Sequence, residues 1–251
     1  MELPFQFDER VRPDIIKRAV LSIQSKNRQS YGTDPEAGNK HVTRMVQRNN
    51  AFRGQKGKGM SRVPRKALLA RGEQFYWKGA ESPNTVGGRT AHGPKAEKEF
   101  EEEINDKERR KAIRSGISAS MDEELVAEKH EYSGELPIIE EDISSIEKTQ
   151  QLESKLEELG LEDELERVKE KKVRSGRGTS RGRKYRRKTG PLLVVAEDNG
   201  VKDAAANLPG VDVSLVNQLN AEKLAPGAQP GRLVVWSQKA VEKLEEEELY
   251  R

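Results

Sequence analysis

The sequence predicts an α/β fold: a mostly parallel sheet with helices on both faces, plus a long extended basic internal loop. Three observations predict it. Strand-like and helix-like runs alternate from Pro191 to the end of the 251-residue chain, the pattern of a parallel sheet covered by helices. Apolar residues are concentrated there: Leu, Ile, Val and Phe are 18 of the 61 residues from Pro191 onward, but only 7 of the 52 from Arg44 to Lys95. Charge is segregated as well. Arg44–Lys95 holds 12 Lys/Arg against 2 acids, Lys171–Lys188 holds 10 against none, and the other 181 residues carry −17 although the whole chain is +3. The arrangement is an acidic body with two cationic islands.

The elements follow in order. Over residues 11–29, Pro13 suits a first helical position, and Ile15, Ile16, Ala19, Val20 and Ile23 form one apolar stripe. Asn105 with Glu108 gives a capping-box start to a second helix, whose face is Ala112, Ile113, Gly116 and Ile117. The first island is therefore an insertion between two helices. Leu136–Ile139 reads as a short buried strand. Thr149 is expected to cap a helix carrying Leu152, Leu156 and Leu159 that ends at Gly160, and Leu161, Leu165 and Val168 continue into another. After the second island come a strand at Leu192–Ala196, a helix at Ala204–Asn207 and a strand at Val211–Val216. A helical turn capped by Asn220, a strand at Arg232–Trp236 and a final helix capped by Ser237 complete the pattern. The expected organisation is a globular body of 1–43 and 96–251, an extended loop at 44–95, and a basic surface loop at 171–190.

Composition excludes several chemistries. Without Cys there is no disulfide, thiolate metal site or thiol nucleophile, and the three His are far apart. No run of 18 apolar residues is present, and the first residues lack the features of a secretory signal, so a soluble intracellular protein is expected. Gly54–Gly59 lacks the four-residue spacing before Gly-Lys-Ser/Thr of a nucleoside-triphosphate-binding loop, and no strand precedes it, so its amides suit RNA phosphate instead. Glu197-Asp198-Asn199-Gly200 after a strand is ordinary turn chemistry, though its carboxylates also suit Mg²⁺. No catalytic residue, metal ligand or cofactor site is assigned.

The islands carry the functional signal. The first has eight Gly, three Pro and too few hydrophobes to offset about 1–2 kcal/mol per residue of backbone entropy, so it is expected to lack structure of its own. Phe52, Leu68, Leu69, Phe75, Tyr76 and Trp77 interleave with Arg and Gly, which suits ordering against a nucleic acid. Its candidate contacts are Arg44, Arg48, Arg53, Lys56, Lys58, Arg62, Arg65, Lys66, Arg71, Lys78, Arg89, His92 and Lys95. Those of the second island are Arg177, Arg181, Arg183, Lys184, Tyr185, Arg186, Arg187 and Lys188. A flexible cationic linker and a nuclear-localisation patch are the bland alternatives.

Several motifs resemble the large-ribosomal-subunit protein L4 family in its archaeal and eukaryotic type, of which the archaeal is expected here. They are Asn105-Asp106-Lys107-Glu108-Arg109, the run Gly176–Arg187, Leu224-Ala225-Pro226-Gly227 with Pro230-Gly231-Arg232-Leu233, Ser61-Arg62-Val63-Pro64, and Gly88-Arg89-Thr90-Ala91-His92. The resemblance spans about Leu3 to Leu244. It implies a body on the outer face of the subunit and a loop that threads into large-subunit rRNA, its tip lining the exit tunnel. It also implies binding early in assembly, no catalysis, no cofactor, no membrane and no homo-oligomer. The implied partners are rRNA, neighbouring ribosomal proteins and the nascent peptide near the loop tip, in a cytoplasmic, ribosome-bound particle. Lys66–Val86 departs from the family pattern, and Met1-Glu2-Leu3-Pro4 falls where the strand with which members usually open would already have ended, so either the start is shortened or the sheet lacks that strand. An α/β enzyme acting on RNA, with Asp198 as a sensitive carboxylate, and an extra-ribosomal regulatory RNA binder are the competing functions.

Overall fold

A computed structural model describes residues 3–251 apart from Glu73 and Asp142. The chain forms two compact units: a body, made of residues up to Asn27 together with Glu101–Arg251, and an insertion, Arg28–Phe100. In chain order the elements are α1 (Pro13–Lys26), β1 (Arg65–Arg71) and β2 (Gln74–Gly79) in the insertion, α2 (Asp106–Ala119), α3 (Glu123–Ala127) and β3 (Ile138–Glu140). Then follow α4 (Thr149–Glu158), α5 (Glu162–Lys169), the short strands β4 (Lys172–Val173) and β5 (Tyr185–Arg186), and β6 (Leu192–Val195). The chain closes with α6 (Val201–Ala206), β7 (Asp212–Leu215), α7 (Ala221–Leu224), β8 (Val234–Ser237) and α8 (Gln238–Glu246).

The body is built on a parallel sheet of order β3-β8-β6-β7. The inner strands β6 and β8 read as unbroken apolar runs because helices cover both of their faces. Alternate residues therefore serve different cores. Leu192 and Val194 join Trp236, Ile113 and Ile117 of α2, and Val241 and Leu244 of α8. Leu193 and Val195 join Leu152 and Leu156 of α4, Leu165 of α5, and Val201 and Ala204 of α6. Phe7 closes the first core edge-on against Trp236, with ring centroids 5.1 Å apart. The Gln6 amide donates to the carbonyls of Leu244 and Leu249, pinning the start of the chain to its end. A third cluster packs Ile16, Ala19 and Val20 of α1 on Ala112, Ala221 and Ala225.

Most cap positions agree with the sequence. Asn220 accepts from the Lys223 amide at 2.8 Å, and Ser237 from Ala240 at 3.2 Å. Two differ. Thr149 is the first residue inside α4 rather than its cap, which is Lys148, and Asn105 holds the cap position of α2 without a side-chain bond. A cap depends on the direction in which the chain enters the helix, and that direction is set here by packing.

The insertion corrects one expectation. The island is not without elements of its own: β1 and β2 pair antiparallel, with Ala67 opposite Trp77, Leu69 opposite Tyr76, Ala70 opposite Phe75, and a bulge at Leu68. Cross-strand pairs of aromatic and aliphatic side chains stabilise such a ladder without a deep core, and the entropy argument omitted them. Its other half stands, because no residue of the three apolar clusters comes from 28–100. Among the described residues of 44–95 only Gly54, Gln55, Arg65 and Ala80 are buried. Polar contacts substitute: Gln55 donates to the Val63 carbonyl at 3.1 Å, and Arg44 and Arg65 exchange backbone bonds. The stem is closed by Tyr31 stacked on Phe100 at 5.5 Å, with the Arg28 guanidinium 4.2 Å from the Phe100 ring.

Two outcomes follow. Limited trypsin treatment of the free protein should cut within residues 28–100 before the body, because few apolar contacts hold that unit; mass spectrometry of the first fragments checks it. Gly231 has φ +91°, and a Cβ there would stand 2.5 Å from the Leu125 carbonyl oxygen. Gly231→Ala should therefore destabilise the body by about 1–3 kcal/mol or more, measured as a lower urea midpoint.

Candidate nucleic-acid interface

The second island folds as a hairpin rather than an irregular loop. Lys172 and Val173 pair with Arg186 and Tyr185, and the Arg174 amide extends the ladder to the Lys184 carbonyl at 2.8 Å. The connection turns through Gly176 and Gly182, both with φ near +80°. Thr179 Oγ1 donates to the Arg174 carbonyl and tightens the turn. Repulsion among ten cations keeps the side chains apart, and all but Gly178 in residues 171–189 are exposed.

Buried charges hold the root of this hairpin. Arg167 donates to the Thr189 carbonyl at 2.8 Å. Arg232, buried ahead of β8, donates to the Gly190 carbonyl, the Lys223 carbonyl and Asp212 Oδ2 at 3.0, 2.8 and 2.5 Å. Arg167 is itself fixed by a bidentate pair with Glu164, 2.7 Å to each oxygen. His130 Nδ1 lies 2.6 Å from the same carboxylate, and the Glu131 amide donates to it at 3.1 Å. Burial opposes the charged form of Glu164, but the bonds from Arg167 and His130 outweigh it and hold this carboxyl below the usual range.

The cations of the two islands face solvent with little internal compensation. Of their 22 Lys and Arg, Lys188 alone has an acidic partner within 4 Å among the described residues, Glu170 at 3.6 Å. Arg44, Arg48, Lys56, Lys58, Arg62, Arg71, Lys78, Arg89, His92 and Lys95 are exposed. Arg65 is different: it is buried, and its guanidinium donates to the Ser61 carbonyl at 2.7 Å and to Ser61 Oγ. Lys66 is half-buried, with Nζ 3.0 Å from His41 Nε2. In the second island Tyr185 is half-exposed, and the Lys171 and Lys184 ammonium groups lie 5.8 and 5.5 Å from its ring centroid. A groove beside the hairpin root is lined by Lys171, Lys172, Arg186, Arg187 and Lys188, with Glu170, Thr189 and the Pro226-Gly227 turn.

The carboxylate that a nuclease would use is engaged in its own turn. Asp198 pairs with Lys202 at 2.9 Å and faces the amides of Gly200 and Lys202, and these contacts hold its carboxyl below the usual range. Among the described residues no group of three or more His, Asp or Glu is placed to hold a metal ion. No helix there is long and apolar enough to cross a membrane.

Sequence comparison now decides the family. The sequence model described as the ribosomal protein L4/L1 family matches residues 1–247. This chain belongs to that family. The large ribosomal subunit protein uL4 of Nanoarchaeum equitans is 46% identical over 252 residues, covering all of this chain and 94% of that protein. The protein of the same name from Halobacterium salinarum is 44% identical over 249 residues, 97% of this chain and 93% of its own length. That of Archaeoglobus fulgidus is 46% identical over 249 residues, with 98% and 93% covered. In this L4/L1 chain the run Gly176–Arg187 is the basic hairpin, and Pro230–Leu233 supplies the buried arginine beneath it.

Sequence reasoning missed the clasp at the hairpin root. The Glu164–Arg167 spacing of three residues is legible on a helix, but no signal places His130, 34 residues earlier, against it. Glu164→Gln should cost about 3 kcal/mol at pH 7, because it removes a buried charge from Arg167. Since the folded pKa is depressed, the wild-type advantage is present above the unfolded value near 4.3 and is lost as pH falls through the lower folded value. Urea midpoints of both proteins should therefore converge below about pH 4; a gap that stays constant to pH 3 would refute the linkage.

Proposed function

We propose that this chain is a structural constituent of the large ribosomal subunit that binds large-subunit rRNA through its two basic segments. The observation that carries this reading is the set of island cations with almost no acid beside them. Charges left uncompensated by the protein gain most from a polyanion, and phosphates release counterions when they supply it. The uL4 names of the archaeal relatives agree with this reading.

The finer reading assigns roles within the particle. The insertion extends into folded rRNA early in assembly, and the end bearing β1 and β2 reaches toward the exit tunnel and the nascent peptide. The contacts are Arg44, Arg48, Arg53, Lys56, Lys58, Arg62, Lys66, Arg71, Lys78, Arg89, His92 and Lys95, with Arg65 shaping the insertion from within. Arg177, Arg181, Arg183, Lys184, Tyr185, Arg186, Arg187 and Lys188 form the second contact. Neighbouring large-subunit proteins complete the surroundings, and the protein acts as a monomer without catalysis.

If 6–10 of these cations meet phosphate, affinity for a large-subunit rRNA fragment should fall about 10³–10⁵-fold between 50 and 200 mM salt. Replacing Arg183, Lys184, Arg186 and Arg187 together by Ala should lower the salt slope by about 3–4 while circular dichroism stays unchanged. Filter binding at several salt concentrations measures both. A salt-insensitive affinity would count against the reading, as would migration away from large subunits in high-salt sucrose gradients.

A further inference from the structure

The two hairpins differ in one respect that charge alone does not explain. The second has a single aromatic, Tyr185, flanked by lysines. The first carries a continuous stack. The Arg53 guanidinium lies 5.0 Å from the Phe52 ring and 4.8 Å from the Phe75 ring. Phe75 meets Trp77 edge-on at 4.9 Å, and the Arg65 guanidinium lies 5.3 Å from the Trp77 ring. Phe52 ends this stack in solvent, 69% exposed, and the Arg53 Nε is buried with no hydrogen-bond partner among the described residues. On the opposite face of the ladder, Tyr76 is 64% exposed beside its cross-strand partner Leu69, which is 70% exposed.

Folding normally hides rings of this size, and leaving them in water costs the burial free energy. Here Tyr76 is held by strand pairing, Phe52 is backed by the Arg53 guanidinium, and the cations of the same segment have no acidic partner within 4 Å among the described residues. A protein partner would need acidic complementarity and a lipid surface would need a wider apolar face. A nucleobase fits better, because its π-face stacks on an aromatic ring while its phosphate meets the neighbouring cation.

We infer that the insertion is a preassembled platform for unpaired RNA bases, with Tyr76 on its hairpin and Phe52 beside it as the stacking surfaces, whereas the second hairpin, with its one ring, reads mainly backbone phosphate. This rests on the RNA-binding reading above and adds a division of labour between the islands. It makes the first island selective for single-stranded or looped RNA and leaves the second indifferent to base pairing.

The test uses the full-length protein with a 12-nucleotide single strand of mixed sequence and a 12-base-pair RNA duplex, each at several salt concentrations. Phe52→Ala and Tyr76→Ala should each weaken single-strand binding about ten- to hundredfold. Duplex binding should change less than twofold and the salt slope should stay the same, which also reports an intact fold. Phe52→Leu and Tyr76→Leu keep apolar bulk without a ring, and should bind single strands as poorly as the alanine variants. Unchanged single-strand affinity in the alanine variants, or full affinity in the leucine variants, would overturn the stacking role and leave the phosphate reading standing. Equal losses on strand and duplex would overturn the selectivity. Wild-type protein that binds neither RNA in a salt-dependent way would overturn both readings together.

Discussion

Uncompensated positive charge is the constraint around which this molecule is arranged. Twenty-two cations lie in two segments, and one of them has an acidic neighbour among the described residues. Such a density cannot enter a low-dielectric core, because each unpaired charge would cost several kcal/mol. The segments therefore stay out of the apolar clusters, each carries a hairpin, and most of their cations face water. The acidic remainder of the chain forms the body, and its own cations are often paired, as in Arg114 with Glu9 and Lys155 with Glu140.

The hairpins are stabilised in different ways. The second stands on a root fixed by buried guanidinium groups, Arg232 against Gly190 and Arg167 against Thr189, with Glu164 and His130 behind the latter. Breaking such a buried pair is costly because the remaining partner keeps its charge without compensation. The root thus ties the cationic hairpin to the sheet. The first hairpin has one buried guanidinium at its root, Arg65, which donates to the Ser61 carbonyl and to Ser61 Oγ. It relies further on strand pairing, a few polar contacts and aromatic stacking.

Small residues complete the arrangement where backbones approach. Gly116 brings α2 within reach of Leu224, a Cβ there standing 3.2 Å from that side chain. The alanines of the third cluster let α1, α2 and α7 converge. These contacts join the start of the body to the turn that precedes Arg232, so the support of the second hairpin extends across the sheet.

Much of this was legible in the residues. A period of 3.6 exposed α1 and α2, and short apolar runs alternating with helical segments exposed β6, β7 and β8, because a strand covered on both faces is apolar throughout. Charge counting isolated both islands, since like charges cannot be buried wherever the chain runs. What the pattern could not show was pairing. The ladder of β1 with β2, the bond from His130 to Glu164 and the burial of Arg65 and Arg232 all join residues whose meeting depends on three-dimensional closure. Composition by itself decided that the basic segments stay in water and that an α/β core forms without them. Only tertiary structure decided that those segments are hairpins, which arginines turn inward, and which rings stay exposed, because hydrogen-bond and stacking partners are chosen by distance in space rather than by separation along the chain.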